Sequence, residues 1–355
     1  VKALVLSGGK GMRLRPFSHT APKQLVPVAN KPVLFHALEA LSAVGITEVG
    51  IVVSAPGTDI QEAVGEGTRF GLSLTYLPQD EPRGLAHCVM IARDFLGDDD
   101  FVMYLGDNVF VGGLAEPFAA FNASRPAVQL VVTKVANPSE SGVAEIDLAG
   151  RVTSLEEKPA DPKSDLAVTG AYFFTPAIHD AVRSIQPSGR NELEITDAVQ
   201  WLVTKGRDVR AYSFSGQWKD TGSHNDLLEC NKLLLETIAP RMSGTVDELS
   251  HMSGPIVVEE GAVVRRSVLN GPAIIGAGCV VEDSYVGPYT SLGNDCRLCG
   301  AGVEYSILLE RASIQGIRGV QESIIGRAGV VRQSRDQSMV RRLALGDDSV
   351  VEVPV

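Results

Sequence analysis

The sequence predicts an α/β domain built on a mostly parallel sheet, followed by a domain of short strands wound into a parallel β-helix. Three observations carry this. Apolar runs alternate with helix-like segments through the first hundred residues, the pattern of strands joined by crossover helices. After Ile238 the helical periodicity disappears, and from Pro255 short Val/Ile/Leu-plus-Gly units replace it. Finally, Ser7-Gly8-Gly9-Lys10-Gly11 directly follows an apolar run, at the carboxyl strand end where such sheets hold ligands.

Taken in order, Val1–Leu6 reads as a buried strand, and Leu34, Leu38 and Leu41 mark a helix over 33–44. Strands are expected at 48–54, 72–77 and 101–105, with helices at 58–64 and 84–96 between them. The turn Gly106-Asp107-Asn108 closes the third of those strands. Further strands are expected at 128–135, 143–146, 152–156 and 170–174, then helices at 195–205 and 227–238. The polar stretch 241–254 reads as a linker between a first domain over 1–240 and a second over 255–345. In the second, Ile274, Val280, Val286, Leu292 and Leu298 recur every six residues, each side of a triangular coil offering one inward aliphatic. A small antiparallel domain with frequent Gly turns is the alternative; the sixfold spacing favours the coil. The pattern weakens over 296–315.

Composition narrows the function. A net charge of -11 argues against non-specific nucleic-acid binding, which needs Lys and Arg to neutralise phosphates. No apolar stretch reaches membrane-span length, and the six-residue run at the start is too short for a signal peptide. Five scattered cysteines fit a reduced compartment, so the cytoplasm is expected. Against the acidic whole, the first 38 residues hold Lys2, Lys10, Arg13, Arg15, Lys23 and Lys31 and no carboxylate. This positive cradle suits a small anion such as a phosphate.

Ser7–Arg15 lacks the order of a P-loop and of a dinucleotide fingerprint, yet clusters backbone amides and guanidinium groups behind a strand. A glycine turn with solvated arginines would read alike. Asp107, on the turn after a central strand, and Asp220, in Trp218-Lys219-Asp220-Thr221-Gly222, could converge on one Mg²⁺. Glu157 and Lys158, in Glu156-Glu157-Lys158-Pro159, could serve a sugar and its phosphate. Each alone would pass for an ordinary charged turn.

Together the motifs G-G-x-G-x-R-L-x-P, P-K-Q, G-L-A, L-G-D-N, E-E-K-P, T-G-x-Y and E-L-E-I-T-D, running in order from Leu6 to Gly222, resemble the sugar nucleotidyltransferases. Within them the chain most resembles the glucose-1-phosphate thymidylyltransferases of the longer form. That resemblance implies a Rossmann-like, mostly parallel sheet and a C-terminal left-handed parallel β-helix. It implies attack by a sugar 1-phosphate on the α-phosphorus of dTTP, with Mg²⁺, pyrophosphate leaving. Gly8, Gly9 and Gly11 would wrap the nucleotide, with Arg13 and Lys23 on the triphosphate. Gln79 and Gly84 would meet the base, Gln79 offering a donor and an acceptor to the N3–H and O4 of thymine or uracil. Asp107 and Asp220 would bind the metal. Glu157 and Lys158 would hold the sugar phosphate, with Gly142, Val168, Thr169 and Tyr172 beside them.

The chain departs from its relatives at Lys10 and Met12, where a hydroxyl is frequent, and at Ser141, where an aromatic is. His87 stands where Gln is common and reads as a packing or surface residue. Trp201 and Trp218 read as packing residues, and Cys296-x-x-Cys299 lacks a full zinc set. UTP or a modified sugar phosphate would keep the same chemistry. A non-catalytic subunit would not need Arg13, Lys23, Asp107, Lys158 and Asp220 together. An acyltransferase role for the coil lacks a histidine base, His251 lying before it. The coil is expected to support homo-oligomerisation or to close against the first domain.

Overall fold

The computed structural model describes residues 1–9, 12–19, 21–54 and 58–333. Gly11 and Lys10, and the end of the expected coil at 334–345, lie outside the described residues, as does the side chain of Met12. The chain divides into two compact units, Val1–Lys10 with Leu34–Asp220, and Gly11–Val33 with Thr221–Val355.

In the first unit four strands run parallel in the order Ser73–Gln79, Glu48–Ser54, Lys2–Ser7, Phe101–Leu105. Crossover helices supply the connections, Val33–Ala43 in the first and Leu85–Ile91 in the last, so each of these strands can follow its neighbour in the same direction. The strand Leu166–Phe174 then pairs antiparallel with Phe101–Leu105 and makes the sheet mixed. It begins four residues earlier than expected. Along its other edge it pairs with Val128–Lys134, with a register break between Val168 and Tyr172. The apolar residues that alternated in the sequence fill one core, in which Leu4, Val52, Phe101, Met103, Leu130 and Phe174 are buried. The expected helix over 84–96 is divided at Ala92 into Leu85–Ile91 and Arg93–Leu96. Helices Ala115–Ser124 and Ile178–Ser184 were not foreseen; the second is only seven residues long and its buried Ile178, Ala181 and Val182 fill just one turn of apolar spacing.

In the second unit the left-handed parallel β-helix is built from three stacks of short parallel strands. Residues 241–254, expected as a linker, form its first turn. Arg241–Met242, Thr245–Val246 and His251–Ser253 each pair in parallel with a strand of the next turn. Their side chains are mostly exposed because they cap one end of the stack, and this hid them in the sequence. The division at 240 is revised for a second reason. The hairpin Pro27–Val28/Lys31–Pro32 and the helix His224–Leu235 belong to this unit, tied to the coil by the fully buried Asn231. The Asn231 carbonyl accepts from the Ala29 amide at 2.8 Å and the Ser291 hydroxyl at 2.6 Å, while its amide donates to the Tyr289 carbonyl at 3.0 Å.

The coil repeat also differs from six times three. Val257, Ile274 and Ser291 stack at seventeen-residue steps, and Leu298 to Ile314 is one shorter. The inward residues are Ile275, Val281, Val286, Leu292, Leu298, Val303, Leu308 and Ile314, so Ile274 and Val280 of the expected stripe lie off the interior. Steps between them run six, five, six through the turn from Ile275 to Leu292, and five, five, six through the turn from Leu298 to Ile314. Over 296–315 the pattern faded because the Gly278 corner is taken over by Asp295 (φ 59°) and Arg311 (φ 61°), which adopt the left-handed conformation in its place.

Candidate active site

Within the first unit Gly8, Gln79 and Asp107 stand at the carboxyl ends of parallel strands, and the residues expected at the sugar phosphate, with Asp220, lie on antiparallel strands or the turns beside them. Ser7 ends the strand Lys2–Ser7, and Gly8 follows beside Gln79: a Cβ at Gly8 would sit in contact with Gln79 Oε1 at 3.4 Å and Ser54 Oγ at 3.6 Å. Gln79 is the last residue of the adjacent Ser73–Gln79, two residues beyond the strand end read from the sequence, and is 8% exposed. Its Nε2 lies 3.2 Å from His87 Nδ1 and 3.3 Å from Cys88 Sγ. The expectation that Gln79 shows a ligand both a donor and an acceptor is therefore revised, since its NH₂ group is engaged inside the fold.

Gly84 bridges this loop to the E-L-E-I-T-D motif. Its φ of 100° excludes most side chains, and a Cβ would lie 2.5 Å from the Leu193 carbonyl oxygen. Around it, Leu193 N–H donates to Arg83 O at 2.7 Å and Ala86 N–H donates to Leu193 O at 3.0 Å. The motif's carboxylate and hydroxyl side chains act nearby. Thr196 Oγ1 donates to Glu157 Oε2 at 3.1 Å, and Arg190 bridges Glu157 Oε1 at 3.2 Å and the buried Glu194 at 2.9 Å. Sequence reasoning left Arg190, Glu194 and Thr196 without roles, although the quoted motif contained the last two.

Gly142 is paired with Glu157 in the ladder, and a Cβ there would press on Thr196 Cγ2 at 2.8 Å. Lys158, exposed and in the left-handed region (φ 46°), is held by its N–H donating to Ser141 O at 3.1 Å. Ser141 thus serves through its backbone, whatever side chain it carries. Val168 and Tyr172 are buried in the core, and the Thr169 hydroxyl donates to Val131 O at 2.8 Å. Burial, with the Glu157 charge adding to it, raises the Tyr172 phenol, which therefore stays neutral. Val168, beside Gly142, and Tyr172, which feels the Glu157 charge, lie on the Glu157 side, whereas Thr169 is turned to Val131.

A short ladder brings the chain at Asp220 beside the residue that follows Asp107. The strand Gln217–Asp220 runs antiparallel to Asn108–Val111 and pairs Asp220 with Asn108, one residue from Asp107. Asp107 stands on a turn, as expected, directly before the strand Asn108–Val111, whereas Asp220, also expected on a turn, is the last residue of its strand. Asn108, 2% exposed, donates to Asp107 Oδ1 at 2.9 Å and accepts from Trp218 Nε1 at 2.7 Å. Trp218 is more than packing, then: it reaches from the Asp220 strand to the residue that orients Asp107. Gly170, whose Cα lies against the Asn108 side chain, leaves no room for a Cβ.

Among the described residues no group of three or more His, Cys, Asp or Glu is arranged as a metal site. Cys296 is buried in the coil and Cys299 exposed, so the C-x-x-C pair does not converge. In the second unit, Arg13 lies on the short helical turn Met12–Leu14 and Lys23 on Lys23–Leu25, Arg13 exposed and Lys23 half-buried.

A glycine-bearing turn after a parallel strand, two aspartates linked through Asn108 and a Glu-Lys turn on the same mixed sheet suit transfer of a phosphoryl-linked group. The chain belongs to the nucleotidyl transferase family, whose sequence model matches residues 2–237. Within that family it is 56% identical to the glucose-1-phosphate thymidylyltransferase of Streptomyces griseus and 54% identical to that of Streptomyces antibioticus, each match covering 99% of both chains. It is 44% identical to the low-salt glycan biosynthesis nucleotidyltransferase Agl11 of Haloferax volcanii, over 99% of this chain and all of that one. Among solved structures, a Bacillus anthracis chain provisionally given the thymidylyltransferase name matches with a TM-score of 0.62 at 33% identity. It covers 68% of this chain and 97% of its own. A UDP-glucose pyrophosphorylase bound to UDP-glucose shares the fold, with a TM-score of 0.60 at 24% identity over 67% of this chain and 99% of that one.

Proposed function

We propose that this protein joins dTTP and glucose 1-phosphate into dTDP-glucose and releases pyrophosphate. The observation that carries the reading is the likeness, at 56% identity over 99% of both chains, to an enzyme named for that reaction. The attacking sugar phosphate oxygen is already an anion, so the protein needs no general base. Its task is to align two anions and offset their repulsion.

Asp107 and Asp220 are the residues that would hold Mg²⁺. Two neighbouring hard carboxylates fit an ion that usually takes one or two, plus phosphate oxygens and water. Bound there, Mg²⁺ would neutralise charge on the nucleotide phosphates. Gly8, Gly9 and Gly11 are assigned to the nucleotide, and Arg13 and Lys23 to its triphosphate, on their motif positions. Gln79 and Gly84 are assigned to the base. Lys158 would face the sugar phosphate and Glu157 the sugar hydroxyls, the carboxylate kept in place by Arg190 and Thr196.

A homo-oligomer in the cytoplasm completes the reading. The five cysteines are not joined in disulfides, which suits a reducing compartment. No helix among the described residues is long and apolar enough to cross a membrane. The test is pyrophosphate release with glucose 1-phosphate and Mg²⁺ against dTTP, UTP, CTP, GTP and ATP. The expected order is dTTP first and UTP second, and no turnover with any of them would sink the proposal.

A further inference from the structure

We infer that His87 is a specificity-determining positioning residue, which fixes the Gln79 amide so that only its carbonyl oxygen faces the base. The inference rests on the assignment of Gln79 to the base edge. Its basis is a small hydrogen-bonded cluster of three side chains on two adjoining elements. Gln79 Nε2 stands between His87 Nδ1, at 3.2 Å, and Cys88 Sγ, at 3.3 Å. The Cys88 thiol points its own S–H at the Gly84 carbonyl, 3.7 Å away, so its sulfur offers Gln79 only lone pairs. Burial pushes that thiol up to about 12, and it keeps its proton at neutral pH. A neutral imidazole protonated on Nε2 offers a lone pair at Nδ1 as well. Two acceptors therefore demand the NH₂ group between them.

The consequence falls on Oε1. With both amide hydrogens used inside, the carbonyl oxygen is the atom left on the side of Gly8, where the missing side chain leaves it room. A lone acceptor selects a base whose edge carries a donor at that height. The N3–H of thymine or uracil meets it, whereas N3 of cytosine would oppose lone pair to lone pair.

Protonation of His87 reverses the logic. Nδ1 then becomes a donor, cannot accept from Nε2, and draws Oε1 instead, so the amide turns over and shows its NH₂ to the base. Among the described residues, the charged groups that act on His87 are Arg83 and Glu81 on the preceding loop. Burial first and Arg83 second hold its pKa below the usual 6.5, with Glu81 opposing. The reversal therefore belongs to acid conditions, and near neutrality the thymine-reading form dominates.

The test compares steady-state kinetics of the full-length wild type, His87→Gln and His87→Lys with dTTP and dCTP, at saturating glucose 1-phosphate, between about pH 5.5 and about pH 8. Gln at this position can accept through its side-chain carbonyl at every pH. His87→Gln should keep the wild-type preference for dTTP over dCTP and lose the part of the acid-side rise in KM for dTTP that belongs to His87. Titration of the substrates' own phosphates is common to both proteins and cancels in the comparison. His87→Lys places a permanent donor there. It should lower the dTTP-to-dCTP ratio of kcat/KM about tenfold or more near neutral pH, through KM rather than kcat. A His87→Lys enzyme with the wild-type ratio would overturn the inference. So would superimposable pH profiles of KM for wild type and His87→Gln, a comparison that decides the matter alone if the Lys variant does not fold. A wild type with no thymidylyl transfer at all would remove the proposed function, and this inference with it.

Discussion

Asn108 joins the two aspartates, and replacing it with alanine separates orientation from metal ligation. The side chain makes two bonds at 2% exposure, donating to the Asp107 carboxylate and accepting from Trp218. A hydrogen bond to a charged group contributes about 1.5–3 kcal/mol and a neutral one about 1 kcal/mol. Their loss should lower the stability of the fold by about 3 kcal/mol, read from the denaturant midpoint at unchanged slope. The larger effect should be on activity. Partners that orient metal ligands cost roughly 10–100-fold in metal affinity or rate when removed. Asn108→Ala should therefore raise the Mg²⁺ concentration for half-maximal rate by about tenfold or more and lower kcat even at saturating Mg²⁺. Asp107 keeps its carboxylate throughout, so a changed Mg²⁺ response reports its orientation alone. A variant that is destabilised but titrates with Mg²⁺ like the wild type would refute the reasoning, because Asn108 would then be only packing.

Other outcomes test the remaining parts. Asp107→Asn and Asp220→Asn should each cost at least ~100-fold in kcat, as the loss of a principal electrostatic contact does; near-native turnover in either would remove that residue from the metal assignment. Gly84→Ala should destabilise by about 2–4 kcal/mol, combining backbone strain at φ 100° with a clash on the Leu193 carbonyl, and should raise the KM for dTTP. An unchanged melting curve would show that the loop gives way freely. Asn231→Ala should cost about 2–4 kcal/mol and speed hydrogen exchange at the Ala29 amide, which loses its acceptor. Unaltered protection there would mean that the hairpin holds its own shape.

Parts of this were legible because they are local. The alternation of strand and helix, the change of texture near residue 240 and the interior stripe from Val286 to Leu298 are written in apolar spacing, which a one-dimensional pattern can carry. The first turn of the coil was missed for the converse reason: a terminal turn buries little, so its strands show no stripe. Asp107, Asp220, Glu157 and Lys158 were found through motif order. Arg190 and Thr196 were not assigned, since their roles come from Glu157, more than thirty residues earlier in the chain.

By itself the sequence determined the family, the α/β sheet, the coil and the charged groups available for nucleotidyl transfer, because composition and short-range order are enough for these. Tertiary structure alone decided how those groups are held. It joined the hairpin after the glycine-rich loop to the coil through Asn231, paired Asp220 with the neighbour of Asp107, and turned the Gln79 amide toward His87 and Cys88. Which atom of a side chain remains for a ligand depends on what its other atoms have already bound, and those partners come from strands and helices that only the fold brings together.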